Sequence, residues 1–187
     1  AQGQSERVNS QNRLIVGTSN GLNIYNPILD RFERLMEGVD VRDIIEYSKG
    51  GYLLASDEGL IKLDSDYNED KMYLHDVDDS HSLVTNSLSC LLEDTKGRLW
   101  IGSYQFGISL MVSEGIFENY SLVNDKSVSD ICYEITEDYN HRILAATYDN
   151  GVIYFNEMFA QFIELPVVQG KVSFKKAIAI YEDEDKN

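Results

Sequence analysis

The chain has 187 residues, the size of one domain or of part of a larger one. Hydrophobic residues make up 43% of it, close to the globular average, which excludes disorder over the whole length. Its 32 acidic residues against 16 basic ones leave a formal charge of −16, which repels phosphate backbones and anionic lipid and excludes nucleic acid as the expected partner.

No apolar run approaches the ~18–20 residues that a membrane-spanning helix needs, so direct membrane insertion of this segment is not expected. The start, Ala1-Gln2-Gly3-Gln4-Ser5-Glu6-Arg7, lacks the basic end and apolar stretch of a signal peptide, so a leader was never present, was removed, or precedes a longer chain. Aromatic content is dominated by 12 Tyr, against 7 Phe and 1 Trp, and Gly is frequent at 13 while Pro is scarce at 2. Such a composition predicts strands joined by tight turns. Two cysteines, Cys90 and Cys132, are too few for a disulfide framework.

Taken in chain order, four segments share one pattern, a short strand, a small-residue turn and a glycine. They run Arg13–Leu22, Gly51–Leu60, Arg98–Ile108 and Arg142–Val152, with the key glycines at 21, 59, 107 and 151. A second marker, an apolar strand ending in an acidic pair, recurs as Glu93-Asp94, Glu137-Asp138 and Glu182-Asp183, with a weaker copy at Glu46. The first acid of each copy follows the last at intervals of 47, 44 and 45 residues. Two independent markers with one period identify a repeat.

Each unit holds four strand-like runs. In the third copy they are Leu88–Leu92, Arg98–Ser103, Gly107–Met111 and Ile116–Tyr120. Four strands in about 45 residues is the arithmetic of a β-propeller blade, whereas a β-sandwich does not repeat at that interval. The expected fold is therefore all-β, a β-propeller of about four four-stranded blades. The predicted units are blade strands 13–35, a blade at 39–76, a blade at 85–122, a blade at 126–166 and a final inner strand within 173–183. On this division the first unit opens at its strand two and the last supplies only strand one. Closure of those ends into a small ring, closure by a partner, and an open fragment of a larger propeller all fit.

The third copy, Asn86-Ser87-Leu88-Ser89-Cys90-Leu91-Leu92-Glu93-Asp94-Thr95-Lys96-Gly97-Arg98-Leu99-Trp100-Ile101-Gly102-Ser103, resembles the two-component regulator propeller repeat. Asn20-Gly21-Leu22-Asn23-Ile24-Tyr25 is similar to the later part of the same motif. The likeness covers about residues 13–183 and is sharpest in the third copy. Elsewhere Trp100 is replaced by Ile15, Leu54 and Leu144, and Gly102 by Ala55 and Ala146. The resemblance implies the periplasmic sensor region of a Bacteroidetes-type hybrid histidine kinase. It implies oligosaccharide or nutrient sensing, further propeller blades in a parent chain, and signalling through paired chains, so that a homodimer is a partner to consider. No kinase, receiver or DNA-binding motif lies in this segment. A non-catalytic scaffold and a propeller carbohydrate-active enzyme are the alternatives.

Candidate site residues follow from propeller geometry, in which the loops from strand two to three and from strand four to the next strand one open on one face. The first kind carries Ser19-Asn20, Asp57-Glu58, Tyr104-Gln105-Phe106 and Tyr148-Asp149-Asn150; the second carries Asp76, Asp78, Asp79, His81 and Asn124-Asp125. Aromatic faces against sugar C–H surfaces, with amides and carboxylates for hydroxyls, make Tyr104, Gln105, Phe106, Tyr148, Asp149, Asn150, Asp57 and Glu58 the expected ligand contacts. The plainer reading makes them turn and packing residues. The acidic pairs read as turn caps rather than catalytic carboxylates.

No catalytic residue, metal site or cofactor is expected. Asp64–Asp70 alternates oxygen side chains as calcium loops do, but Glu69 replaces the glycine and His75 the final glutamate of that motif. His75, His81 and His141 have no zinc-ligand spacing, and nucleophile-elbow and phosphate-loop motifs are absent. Cys90 and Cys132 read as buried, inert thiols in strand one of neighbouring blades. The oxidising compartment implied by the resemblance leaves a disulfide open, while their offset of two positions within the repeat argues against it.

Overall fold

The computed structural model describes residues 3–122, 131–165 and 175–183. Among the described residues, sixteen strands form four antiparallel sheets, each a simple meander. The first holds β1 (Gly3–Val8), β2 (Leu14–Thr18), β3 (Gly21–Asn26) and β4 (Arg31–Leu35). The second holds β5 (Val41–Glu46), β6 (Tyr52–Ser56), β7 (Leu60–Leu63) and β8 (Glu69–Tyr73). The third holds β9 (Leu88–Glu93), β10 (Leu99–Ser103), β11 (Ile108–Ser113) and β12 (Ile116–Tyr120). The fourth holds β13 (Cys132–Glu137), β14 (Ile143–Thr147), β15 (Val152–Asn156) and β16 (Gln161–Glu164). The strand-one elements β1, β5, β9 and β13 pack side by side around a common axis, as blades of a propeller do.

Strand two of the last three blades is covered on both faces and is apolar up to a closing hydroxyl residue. β6, β10 and β14 are buried at every position. Side chains alternate between the two neighbours. Ile15 packs with Tyr52 and Leu54 between the first two blades, Leu53 with Leu99 and Ile101 between the second and third, and Trp100 with Ile143 and Ala145 between the third and fourth. The ladders pair Trp100 with Leu92 and Leu53 with Ile45, so the residue that replaces Trp100 in the second blade is Leu53, not Leu54.

The first sheet is complete, which corrects the expected opening at strand two. Gly3–Val8 lies in register with β2, from Gly3 opposite Thr18 to Val8 opposite Leu14. Its sequence, Gly-Gln-Ser-Glu-Arg-Val, carries neither an apolar run nor an acidic pair, so it has no strand-one signal. Its place comes from pairing and from two side chains. Ser5 Oγ donates to Asp43 (2.9 Å) and Arg7 Nε to the Ile44 carbonyl (3.2 Å).

The expected final inner strand is not a strand. Residues 175–183 lie along the fourth blade, where Ala177 N–H donates to the Thr147 carbonyl (2.9 Å) and Gly151 N–H to the Lys175 carbonyl (3.1 Å). The second contact repeats that of Gly21 N–H with the Val39 carbonyl (2.7 Å), so the segment stands where strand one of a next blade would stand. A strand-one element draws its ladder from its own strand two, and the described residues contain none for it. The two ends therefore do not combine into one blade.

The acidic pairs divide two tasks. The second residue caps its own turn. Asp94 Oδ1 accepts the N–H groups of Lys96 (3.0 Å) and Arg98 (2.9 Å), and Asp138 Oδ1 those of Asn140 (2.9 Å) and Arg142 (2.8 Å). The first residue reaches back to the preceding blade. Glu46 accepts from Ser10 N–H (2.8 Å), Glu93 from Ser48 N–H (2.9 Å), Glu137 from Thr95 N–H (2.7 Å) and Glu182 from Tyr139 N–H (3.1 Å). One carboxylate per blade thus staples neighbouring turns.

Candidate functional site

The loops between strands two and three share one local device. A buried hydroxyl ends strand two, at Thr18, Ser56, Ser103 and Thr147. Each donates to the carbonyl of the glycine that opens strand three, at 2.9, 2.8, 2.8 and 3.0 Å. Each also accepts an N–H from within its loop, from Asn20, Glu58, Phe106 and Asn150 respectively. The closing residue must be glycine. Gly107 has φ +94°, and a Cβ there would overlap the Tyr120 backbone carbonyl.

These clamps hold the loop tips outward. The first two blades enclose two residues between hydroxyl and glycine, Ser19-Asn20 and Asp57-Glu58, and the last two enclose three, Tyr104-Gln105-Phe106 and Tyr148-Asp149-Asn150. Tyr104, Gln105, Phe106 and Tyr148 are exposed, with the rings at 37%, 53% and 40% for Tyr104, Phe106 and Tyr148. Glu58 is also exposed, while Asp149 and Asn150 are half-buried.

The loops are linked by residues that the sequence reading did not single out. Asp57 Oδ1 accepts the Asp40 N–H (3.0 Å), and Asp40 Oδ2 accepts from Arg42 Nε (2.9 Å). The Arg42 guanidinium lies 4.5 Å above the Tyr104 ring and donates to Ser87 Oγ (3.0 Å) and the Leu88 carbonyl (2.8 Å). On the fourth blade Lys176 Nζ sits 4.5 Å from the Tyr148 ring centre and 5.7 Å from that of Tyr133. One face of each rim tyrosine is thereby covered by a cation.

Arg42 and Tyr133 had a signal that went unused. They and Ser89 stand four residues before the strand-end glutamates 46, 137 and 93. At that position each strand one is bulged, between Val41 and Asp43, Leu88 and Cys90, and Cys132 and Glu134. A bulge re-aims the extra residue out of the ladder, here Arg42 and Tyr133 toward the rim tyrosines and Ser89 toward the neighbouring inner strand.

Two buried polar atoms near this rim, Asp40 Oδ1 and Asn150 Nδ2, have no hydrogen-bond partner among the described residues. Below the rim, a groove of about 290 Å³ follows the axis and is lined by Ser5, Arg7, Arg42, Asp43, Tyr133 and Glu134 among others. Burial pushes the Asp43 carboxyl above its usual range, against the opposing pull of the Leu91 N–H, the Ser5 hydroxyl and Arg7.

Other expected loop residues serve turns. Asp76 Oδ1 accepts from Asp78 N–H (2.9 Å) and Asp79 Oδ1 from His81 N–H (2.9 Å). Asp64 Oδ1 is occupied by the N–H groups of Asp66 (2.8 Å) and Asn68 (2.9 Å). Asn124 and Asp125 lie outside the described residues.

Four meander sheets stacked through their inner strands, with clamped loops arrayed on one rim, define a β-propeller segment. In and just before its third blade, residues 82–105 match the sequence model of the two component regulator propeller family. Among curated proteins none matches the chain in sequence. Solved structures with the same fold include the extracellular domain of a hybrid two-component system from B. thetaiotaomicron, 18% identical with a TM-score of 0.77, over 97% of this chain and 25% of that one. A second such extracellular domain from B. thetaiotaomicron is 21% identical with a TM-score of 0.69, over 88% of this chain and 25% of that one. Virginiamycin B lyase from Staphylococcus aureus is 14% identical with a TM-score of 0.68, over 89% of this chain and 56% of that one. The chain spans about a quarter of the length of the two extracellular domains.

Proposed function

We propose that this chain is a non-catalytic segment of the periplasmic sensor of a hybrid two-component histidine kinase, and that its rim takes part in recognising an oligosaccharide. The observation that carries the reading is the set of exposed rings of Tyr104, Phe106 and Tyr148, held out by clamped loops beside the unpartnered Asp40 Oδ1 and Asn150 Nδ2. Flat rings suit sugar C–H faces, and a buried amide or carboxylate oxygen without a partner suits a hydroxyl. Binding would favour one arrangement of two sensor chains, and that bias would pass to the kinase. Calorimetry against a panel of neutral and acidic oligosaccharides tests this. Binding that is lost in both Tyr104→Ala and Tyr148→Ala is the expected result; no heat with any glycan overturns it.

A scaffold role is the second reading, and the cations support it. Arg42 and Lys176 already cover one face of Tyr104 and Tyr148, as packing residues would. Sedimentation showing a dimer in a chain that binds no glycan would favour that role.

A further inference from the structure

The two cysteines, two positions out of step in the repeat, meet. Cys90 on β9 and Cys132 on β13 hold their sulfurs 3.9 Å apart, both as free thiols. Bulges in both strands shift the stagger between them, and Ser89 Oγ donates to the Cys132 carbonyl (2.6 Å), which fixes the two inner strands at this level. Gly102 provides the room. A Cβ there would overlap Cys90 Sγ and stand 3.1 Å from Cys132 Sγ, whereas the second and fourth blades carry Ala55 and Ala146 at the same ladder position. The thiols also differ in access, since Cys90 lines the axial groove while Cys132 is wholly buried.

We propose that Cys90 and Cys132 are a covalent closure site, at which oxidation by a small disulfide forms an intrachain bond that staples the third blade to the fourth. The Cys90 thiol gives its proton to solvent, and its thiolate attacks one sulfur of oxidised glutathione, forms a mixed disulfide and releases one glutathione thiolate, which takes up a proton. Cys132 then gives its proton to solvent, and its thiolate attacks the Cys90 sulfur and expels the second glutathione. Two protein thiols are oxidised and one glutathione disulfide is reduced to two thiols. The sulfurs close from 3.9 Å to a bond of ~2.05 Å, a movement within reach of side-chain rotation. Burial pushes the Cys132 thiol up, so the second step waits on a brief opening of the blade interface. The bond would close a chain separation of 42 residues and hold the aromatic core between these blades shut.

The test uses the whole chain incubated with oxidised glutathione or with dithiothreitol, then measured by intact mass, thiol titration after denaturation, and peptide mapping. The oxidised sample is expected to lose about 2 Da, the two hydrogens of a two-electron oxidation. Both thiols should vanish from the titration, a Cys90–Cys132 linked peptide should appear, and the denaturation midpoint should rise above that of the reduced sample. Cys90→Ser and Cys132→Ser should each abolish the mass loss and the midpoint difference. If either variant fails to fold, the wild-type mass and peptide map decide alone. Two titratable thiols at equilibrium, a lasting glutathione adduct on Cys90, or disulfide-linked dimers would each overturn the proposal. None of these readings depends on whether the rim binds a glycan.

Discussion

The first two blades and the last two are built on one frame and finished differently. Between the first and second, the core is mostly aliphatic, with Ile15, Leu22, Ile24, Val41, Ile44 and Leu54 around the buried ring of Tyr52, on which the half-buried Tyr67 stacks at 4.9 Å. Between the third and fourth, Trp100 stands 4.9 Å from Phe155 and 6.0 Å from Phe162, edge to face with both, and its indole N–H donates to Asp94 (2.9 Å). That interface also carries Lys96 and Arg98 on Glu157 (3.0 and 2.9 Å). The loops above follow suit, two residues in the first pair of blades and three, with exposed rings, in the second. A blade therefore needs only apolar volume, a hydroxyl clamp and a glycine. The denser aromatic cluster is an addition, and its Trp100 lies in the segment that matches the family repeat.

The comparison can be broken most sharply at the core. Trp100→Ala is expected to cost about 3–5 kcal/mol, and Ile15→Ala, at the same ladder position in the first blade and within the aliphatic core, about 2–5 kcal/mol. Urea denaturation of both variants checks this, and a smaller loss for Trp100→Ala would mean that the aromatic interface is the looser one.

Next in size are the glycines. Gly107→Ala forces a left-handed alanine against the Tyr120 carbonyl and is expected to cost more than about 1–3 kcal/mol, the range for backbone strain alone. Gly97→Ala, with φ +74° and open space around it, is expected near the bottom of that range of about 1–3 kcal/mol. Equal midpoints for the two variants would show that the clamp tolerates a shifted loop.

The turn caps make a pH prediction. Burial pushes the Asp94 carboxyl up, but the Trp100 indole, the Arg98 N–H and the Arg98 guanidinium outweigh it and hold the group below its usual 3.8. Asp138 is held down in the same sense, burial again being outweighed by Arg142. A depressed folded pKa stabilises the fold above the unfolded value, and that contribution is lost as pH falls below about 3.8 toward the folded pKa. Asp43, raised by burial, works the other way and loses its favourable protonated form as pH rises. Thermal midpoints should fall steeply on acidification from pH 6 to pH ~2.5, and Asp94→Asn should flatten the slope. An unchanged slope would place the acid sensitivity elsewhere.

Smallest is the effect of the rim on stability. Tyr104→Ala is expected within about 0.5 kcal/mol of wild type, as for surface changes, because the half-exposed ring loses mainly its contact with Arg42. A loss above 2 kcal/mol would assign Tyr104 to packing and weaken the recognition reading.

Much of the frame was legible because its signals are local. The apolar run of β10, the glycine at 107 and the Asp94 turn each depend on neighbours within a few residues. β1 was missed for the complementary reason. Its Ser5 and Arg7 carry no apolar signal, and their partners Asp43 and Ile44 lie 38 and 37 residues away. The candidate rim was half legible. The loops and their exposed rings followed from the repeat, but Asp57 proved to bind the Asp40 N–H, and the cations over the tyrosines were not foreseen.

The amino-acid order by itself determined the period, the four strands of each later unit and the turns between them, since clamps and alternating faces act within one blade. Only the stacking of blades decided which glutamate reaches which turn, which guanidinium covers which ring, and that Cys90 meets Cys132. Those pairings reach from one blade to the next element around the axis, and their geometry is set by the bulge and stagger of the inner strands rather than by position in the motif.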